Sequence, residues 1–403
     1  MINYQDSYYK AARLCLWMFI SFVLISFLYT IITKTYNGDF YGVPVRISVV
    51  LLIANLIFSI FPFIFSWQIY LYYKKKKTSK YISVPENIWG IFMLIIILWN
   101  IFITLTYGVG IMGKPIYNAP SGIRLIIQIL NRIDYLYGSL LYILIIDKKN
   151  KTQILFILLM ILLAYLRAGL GIFLYLGLVY IVKYYDEIIY FIKRRTILVV
   201  CLIVVFPVTV SYLYSLRASL RSNQVINNIN NKIITGVLIG RLSSFSNSAM
   251  VLQEKRYFIN NVNYLNNFYY EKQAMSVIFG VELIPKNRPE YLLRNVFGGD
   301  IENSSFMVGI PGNFYIAGFK STVILIVNIL FTMLMIISVF FFMSYLKVTF
   351  AAEFALILLL YPLTSGVSNE FSKLAFSLFV FFIILVVIRF FNYYFHPKEM
   401  IKN

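Results

Sequence analysis

Apolar runs dominate this chain, and they recur at the length that crosses a membrane, roughly 20 residues for ~30 Å of hydrocarbon. About ten segments read this way: 11–32, 46–72, 88–107, 123–146, 153–166, 170–183, 196–214, 321–345, 350–364 and 374–395. The segments 153–166, 170–183 and 350–364 are short. The first two of these predict a hairpin or broken pair packed inside protein, where irregular backbone is tolerated. One long polar stretch, 215–320, interrupts the pattern. The expected fold is all-α and polytopic, with one large extracytoplasmic loop containing short helices. Its parts are N-terminal membrane helices (1–214), the loop (215–320), and C-terminal membrane helices with a tail (321–403), all in one integral membrane domain.

Composition strengthens this reading. The chain is 60% hydrophobic and 13% charged, against ~25% charged in an ordinary soluble domain. Its mean hydropathy is +0.79. Lys10 and Arg13 precede the first apolar run, as in a signal peptide. No small-x-small cleavage pattern follows, so the segment is expected to stay as an anchor.

The net charge of +20 is mostly a topology signal. Lys74, Lys75, Lys76, Lys77 and Lys80 follow the second segment; Lys148, Lys149 and Lys151 follow the fourth; Lys183, Lys193, Arg194 and Arg195 precede the seventh. The positive-inside rule makes these loops cytoplasmic. They agree only if 153–183 enters the membrane and returns. Both termini then lie inside and 215–320 lies outside, which argues against nucleic acid as a partner. Cys15 and Cys201 fall within apolar segments and predict no disulfide framework. No cluster has metal-ligand spacing, and the single histidine, His396, lies in the inner tail. Neither a metal nor a cofactor is expected.

The external stretch is irregular. NQVINNINN and NNVNYLNN read as loops or helix ends. Between them, Leu242, Phe245, Ala249 and Leu252 recur at helical spacing. That suits a helix lying on the membrane surface or packed across the mouth of a cavity. The stretch carries 11 basic residues against 6 acids. Arginine leads among its bases, whereas the inner loops favour lysine. A planar guanidinium binds phosphate in bidentate fashion, which points to an anionic ligand such as a lipid diphosphate. The alternatives are lipid headgroup contacts and solvated charge.

Two places inside the apolar pattern also carry charge. Arg167 sits between the two short segments. An arginine at mid-membrane costs ~2.5 kcal/mol or more, so it either faces a cavity, partner or ligand, or reaches the outer interface by its length. Arg124, Gln128 and Arg132 share a helical face of the fourth segment, which predicts cavity lining. An Arg132–Asp134 pairing is poorly placed at i,i+2.

Four motifs carry a family resemblance: LRAGL around Arg167, GRLSSFSN beginning at Arg241, ELIPKNRPEY with Lys286 and Arg288, and ENSSFMVGIPGNFYIAGF with Tyr315 and Gly318. In this order and topology the chain resembles the Wzy-type O-antigen or capsule repeat-unit polymerases. The resemblance implies glycosyl transfer between undecaprenyl-diphosphate-linked oligosaccharides, donor and acceptor, at the periplasmic face of a bacterial inner membrane. It also implies a chain-length regulator as partner. Arg241 and Arg167 would stabilise the departing diphosphate; Glu302, ahead of Glu282 and Asp300, would be the general base. Arg288, Lys286, Arg294, Tyr315 and Arg132 would bind substrate. An O-antigen ligase typically carries an essential histidine in its external loop; this loop has none. A lipid-linked repeat-unit flippase is the rival from the transporter class, with more evenly distributed spans expected.

Overall fold

A computed structural model describes residues 4–75, 84–111, 119–147, 150–167, 169, 171–198, 201, 205, 208, 239–261, 267–279, 289–296 and 307–395. The described residues are helical, without a named strand; a single β-bridge joins Thr35 to Pro44. Five helices are long and apolar enough to cross a membrane. They are α1 (Tyr4–Thr33), α2 (Val49–Lys75), α3 (Glu86–Tyr107), α14 (Thr322–Ser344) and α16 (Ser368–Phe395). Between them come α4 (Ser121–Leu130), α5 (Tyr135–Ile145), α6 (Thr152–Leu166), α7 (Gly171–Lys183) and α8 (Tyr185–Arg194). The polar stretch contributes α9 (Phe245–Gln253), α10 (Lys255–Asn261), α11 (Tyr269–Phe279), α12 (Pro289–Asn295) and α13 (Gly309–Lys320), and α15 spans Ala351–Ser365.

The long helices expose large apolar side chains: Trp17 and Ile32 on α1, Val50 and Ile57 on α2, Leu330 and Leu334 on α14. Such a surface is stable against hydrocarbon rather than water. The short helices α5 and α15 are apolar on nearly every side, Glu353 in the first turn of α15 being the charged exception, and nearly all their residues are buried. A helix without a polar face belongs in the middle of a bundle, and these two form its centre.

Side-chain contacts fix the direction of each helix. At one end, Lys74 of α2 reaches Glu353 of α15 at 3.0 Å. Tyr8 of α1 packs edge-on against Phe350, just before α15. Ser7 donates to Asp186 of α8 at 2.6 Å. Lys183, at the end of α7, donates to the carbonyls of Ile143 (2.5 Å) and Ile146 (2.7 Å) and to Gln153 (3.1 Å). At the opposite end, the last turns of α3, α6 and α15 meet the first turns of α5 and α16. The bundle thus has a lysine-rich end and a second end where the polar stretch folds in. That stretch is no separate layer: Phe245, Met250, Phe258, Tyr269 and Ile310 belong to the same core as α1 and α15.

Two expectations are corrected. The fourth apolar segment is not one helix. Asp134 accepts from the Leu136 amide at 3.0 Å and so caps a new helix, α5. Arg132 therefore lies in the turn between α4 and α5, off the face that carries Arg124 and Gln128. Asp134 pairs with Lys373 at 3.3 Å rather than with Arg132. The second narrows the two placements expected for α9, on a membrane surface or across the mouth of a cavity: the helix packs into the bundle and not on its surface. Every residue from Ser243 to Val251 is buried, its serines and asparagine included. Apolar periodicity marks one face of such a helix but is blind to hydrogen-bond partners waiting on the other.

Candidate functional site

The second end holds two groups of polar side chains. The first gathers around the start of α16. Gly366, at φ +67°, ends α15, and α16 begins two residues later. Ser365 donates its hydroxyl to Glu370 in the first turn of α16. One turn on, Lys373 reaches Asp134, and the Asp134 amide donates to Ser377 at 2.8 Å. Glu370 lies within electrostatic reach of Lys373, Glu290 and Asp134. α11 covers this group: Ser368 donates to Gln273 at 2.8 Å, and Ser372 to the Ala274 carbonyl at 2.7 Å. Two helix N-termini, those of α5 and α16, thus meet here and favour negative charge.

Two arginines border the same group. Arg132 donates to the Ile278 carbonyl at 3.4 Å, and its buried Nε has no partner among the described residues. Arg167, at the end of α6, donates to Thr104 at 2.9 Å and Asn100 at 2.8 Å. Its guanidinium sits 5.4 Å from the centre of the Tyr135 ring, next in sequence to Asp134. The partners of Arg167 among the described residues are all neutral, so its charge remains available to an anion.

The second group lies between α1, α2, α9 and α13. Arg241 donates to Asp39 at 2.8 Å, and Asn247 donates to the other Asp39 oxygen at 3.1 Å and to the Met307 carbonyl at 2.5 Å. Asn37 exchanges hydrogen bonds with Ser246 and donates to Ser26 at 2.9 Å. Tyr315 donates to Asn55 at 3.2 Å, and Asn55 donates to the Phe245 carbonyl at 3.0 Å. The GRLSSFSN motif is therefore the strap that ties the turn after α1 to the polar stretch. A Cβ on Gly240 would lie 2.1 Å from the Gly38 Cα, so both glycines are needed for this contact.

The structure divides the expected site residues. Arg132 and Arg167 join the first group, Arg241 and Tyr315 the second. Glu302, Lys286 and Arg288 lie outside the described residues, as do Glu282 and Asp300; Arg294 lies in α12, where its backbone alone is described. Sequence reading missed Glu370 and Lys373. The signal was present as an acid and a base at i,i+3 beside an apolar run, but a segment drawn from 374 leaves both outside.

Outside the spans, burial also shifts titration. Glu271 of α11 is buried and its carboxyl is pushed above the ordinary carboxylate range. With its amide turned to satisfy both groups, Asn328 of α14 donates to that carboxyl. Lys320, at the end of α13, is pushed down by burial. Among the described residues, no group of three His, Cys, Asp or Glu side chains is arranged to hold a metal ion. No protein-family model, curated protein or solved structure matches this chain.

Proposed function

We propose that this chain is a Wzy-type polymerase that joins undecaprenyl-diphosphate-linked oligosaccharide repeat units into O-antigen or capsule polysaccharide. One observation carries the reading. Lys373 pairs with Asp134 beside Glu370, and Arg132 and Arg167 border this group, at the end of the bundle opposite the lysine-rich one. By the positive-inside rule the lysine-rich end faces the cytoplasm. The charged group then lies at the periplasmic face of the inner membrane, with about ten spans and both termini inside. Transfer of a glycan from a lipid diphosphate needs cations where the leaving diphosphate gains charge. It also needs an oriented acceptor hydroxyl and a group to take its proton. The group at α5 and α16 contains both kinds of residue. Energy comes from the sugar–phosphate bond, so neither nucleotide sugar nor cofactor takes part. A chain-length regulator would be the protein partner.

The ligase alternative is weakened because His396 is the single histidine and sits in the C-terminal tail. A flippase gains some support from ionisable residues held inside a helical bundle, a feature of transport pathways. Deleting the gene separates the polymerase from the other two. Loss of polymerase leaves lipid A core carrying no more than one repeat unit, and complementation restores the ladder. A normal ladder in the deletion strain sinks the proposal, and complete loss of capping points to ligase or flippase.

A further inference from the structure

We propose that Glu370 is the proton acceptor for the incoming hydroxyl, with Lys373 and Arg132 facing the departing diphosphate. This inference rests on the polymerase reading and assigns chemistry within its site.

Among the described acids of the first group, Asp134 is used twice, as the cap of α5 and as the partner of Lys373, and Glu290 is engaged in an interaction of its own. Glu271 is held by Asn328. Glu370 accepts a hydrogen bond from the Ser365 hydroxyl, and no ion pair among the described residues consumes it. A single neutral donor orients the carboxylate without neutralising it, the arrangement a general base requires. Lys373 lies one turn along the same helix, so a base and a cation stand on one rigid element. Arg132, in the α4–α5 turn two residues before Asp134, donates to the Ile278 carbonyl of α11 and has its buried Nε unpartnered among the described residues. A buried guanidinium nitrogen without an acceptor is costly unless a ligand supplies one, and a phosphate oxygen is suited to it.

The acceptor hydroxyl oxygen attacks the anomeric carbon of the donor. The bond from that carbon to the phosphate oxygen breaks, and its electron pair leaves on the diphosphate. The hydroxyl proton passes to the Glu370 carboxylate. The new glycosidic bond joins the growing glycan to the new unit, and undecaprenyl diphosphate departs as an anion beside Lys373 and Arg132.

A structural role for Glu370 makes a different prediction. If its task were only to accept from Ser365, Glu370→Gln would serve through its amide oxygen, and the shorter Glu370→Asp would not. The test uses the purified full-length chain in nanodiscs, with lipid-linked repeat units extracted from the deletion strain. Undecaprenyl diphosphate serves as the binding probe in native mass spectrometry. E370Q should bind that probe as the wild type does and elongate at least about 100-fold more slowly. E370D should retain part of the turnover and move the acid limb of the rate–pH profile. K373M should weaken binding of the probe. Elongation by E370Q within about threefold of wild type overturns the assignment, as does an acid limb that stays in place in E370D. The second criterion applies even if E370Q fails to fold. If the wild-type chain itself cannot elongate the extracted units, the polymerase reading fails and this inference falls with it. If the wild type elongates and E370Q does too, the base assignment alone is lost.

Discussion

Gly366 and Gly309 meet backbone to backbone, so closely that a Cβ on Gly366 would lie 2.2 Å from the Gly309 carbonyl carbon. Both have positive φ, and Asn313 bridges their carbonyls with bonds of 2.8 and 3.1 Å. The contact sets where α15 stops and α16 starts, and hence where Glu370 and Lys373 stand. Backbone cannot move aside as a side chain can, so Gly366→Ala combines a strained φ with a fixed clash. A loss of about 3 kcal/mol or more is expected. It should appear as a lower Tm in detergent or as loss of folded protein during purification. A variant with unchanged Tm would show that the two glycines separate easily.

Arg167 ties the end of α6 to the end of α3 through two neutral acceptors, and Gly110 leaves room for it: a Cβ there would come within 2.7 Å of the Arg167 Nε. Arg167→Lys keeps the charge but cannot reach Thr104 and Asn100 together while offering a planar fork to phosphate. On the polymerase reading, loss of one charge-assisted bond in the transition state is worth about 2 kcal/mol, or roughly 30-fold in elongation rate. Shorter glycan chains at equal protein level are the expected outcome in cells. Full-length chains in both the lysine and alanine variants would remove Arg167 from the site.

Arg241 has a structural partner in Asp39, whose side chain is only 4% exposed. Arg241→Ala leaves that carboxylate with less compensation, at a cost of about 1–3 kcal/mol. Asp39→Asn in the same background should recover part of the loss, because a neutral amide needs no cation. A double-mutant cycle on Tm measures the coupling. Strictly additive effects would show that the ion pair contributes nothing to holding the turn after α1 against the GRLSSFSN strap.

Glu271 gives a pH dependence with a definite sign. Burial raises its native pKa above the unfolded value, so the native state binds the proton more tightly. Its contribution to stability is complete below the ordinary carboxylate range and is lost as pH rises through the raised native value. Glu271→Gln removes this limb and keeps a partner for Asn328. Relative to wild type, the variant should therefore gain stability steadily as pH rises across that window. Parallel Tm–pH curves for the two proteins would contradict the assignment.

Much of the helical plan is legible in the amino-acid sequence. The short apolar pair 153–166 and 170–183 corresponds to α6 and α7, and the run from 321 to α14, because a continuous apolar stretch forms a helix whatever it packs against. Lysine clustering marked in advance the end where Lys74 and Lys183 are found. What the apolar pattern could not reveal was the break at Asp134, where a cap competes with helix continuation, or the burial of the polar face of α9.

The candidate site was less legible still. Arg132 and Arg167 stood out because charge inside an apolar pattern is costly. Glu370 and Lys373 did not, since their importance comes from Ser365, Asp134 and α11, which lie on three other stretches of chain. By itself the sequence determined which segments are helical and apolar, since hydropathy is a local property. Only tertiary structure decided which charges meet, since hydrogen bonds and ion pairs depend on a few ångströms between residues distant along the chain.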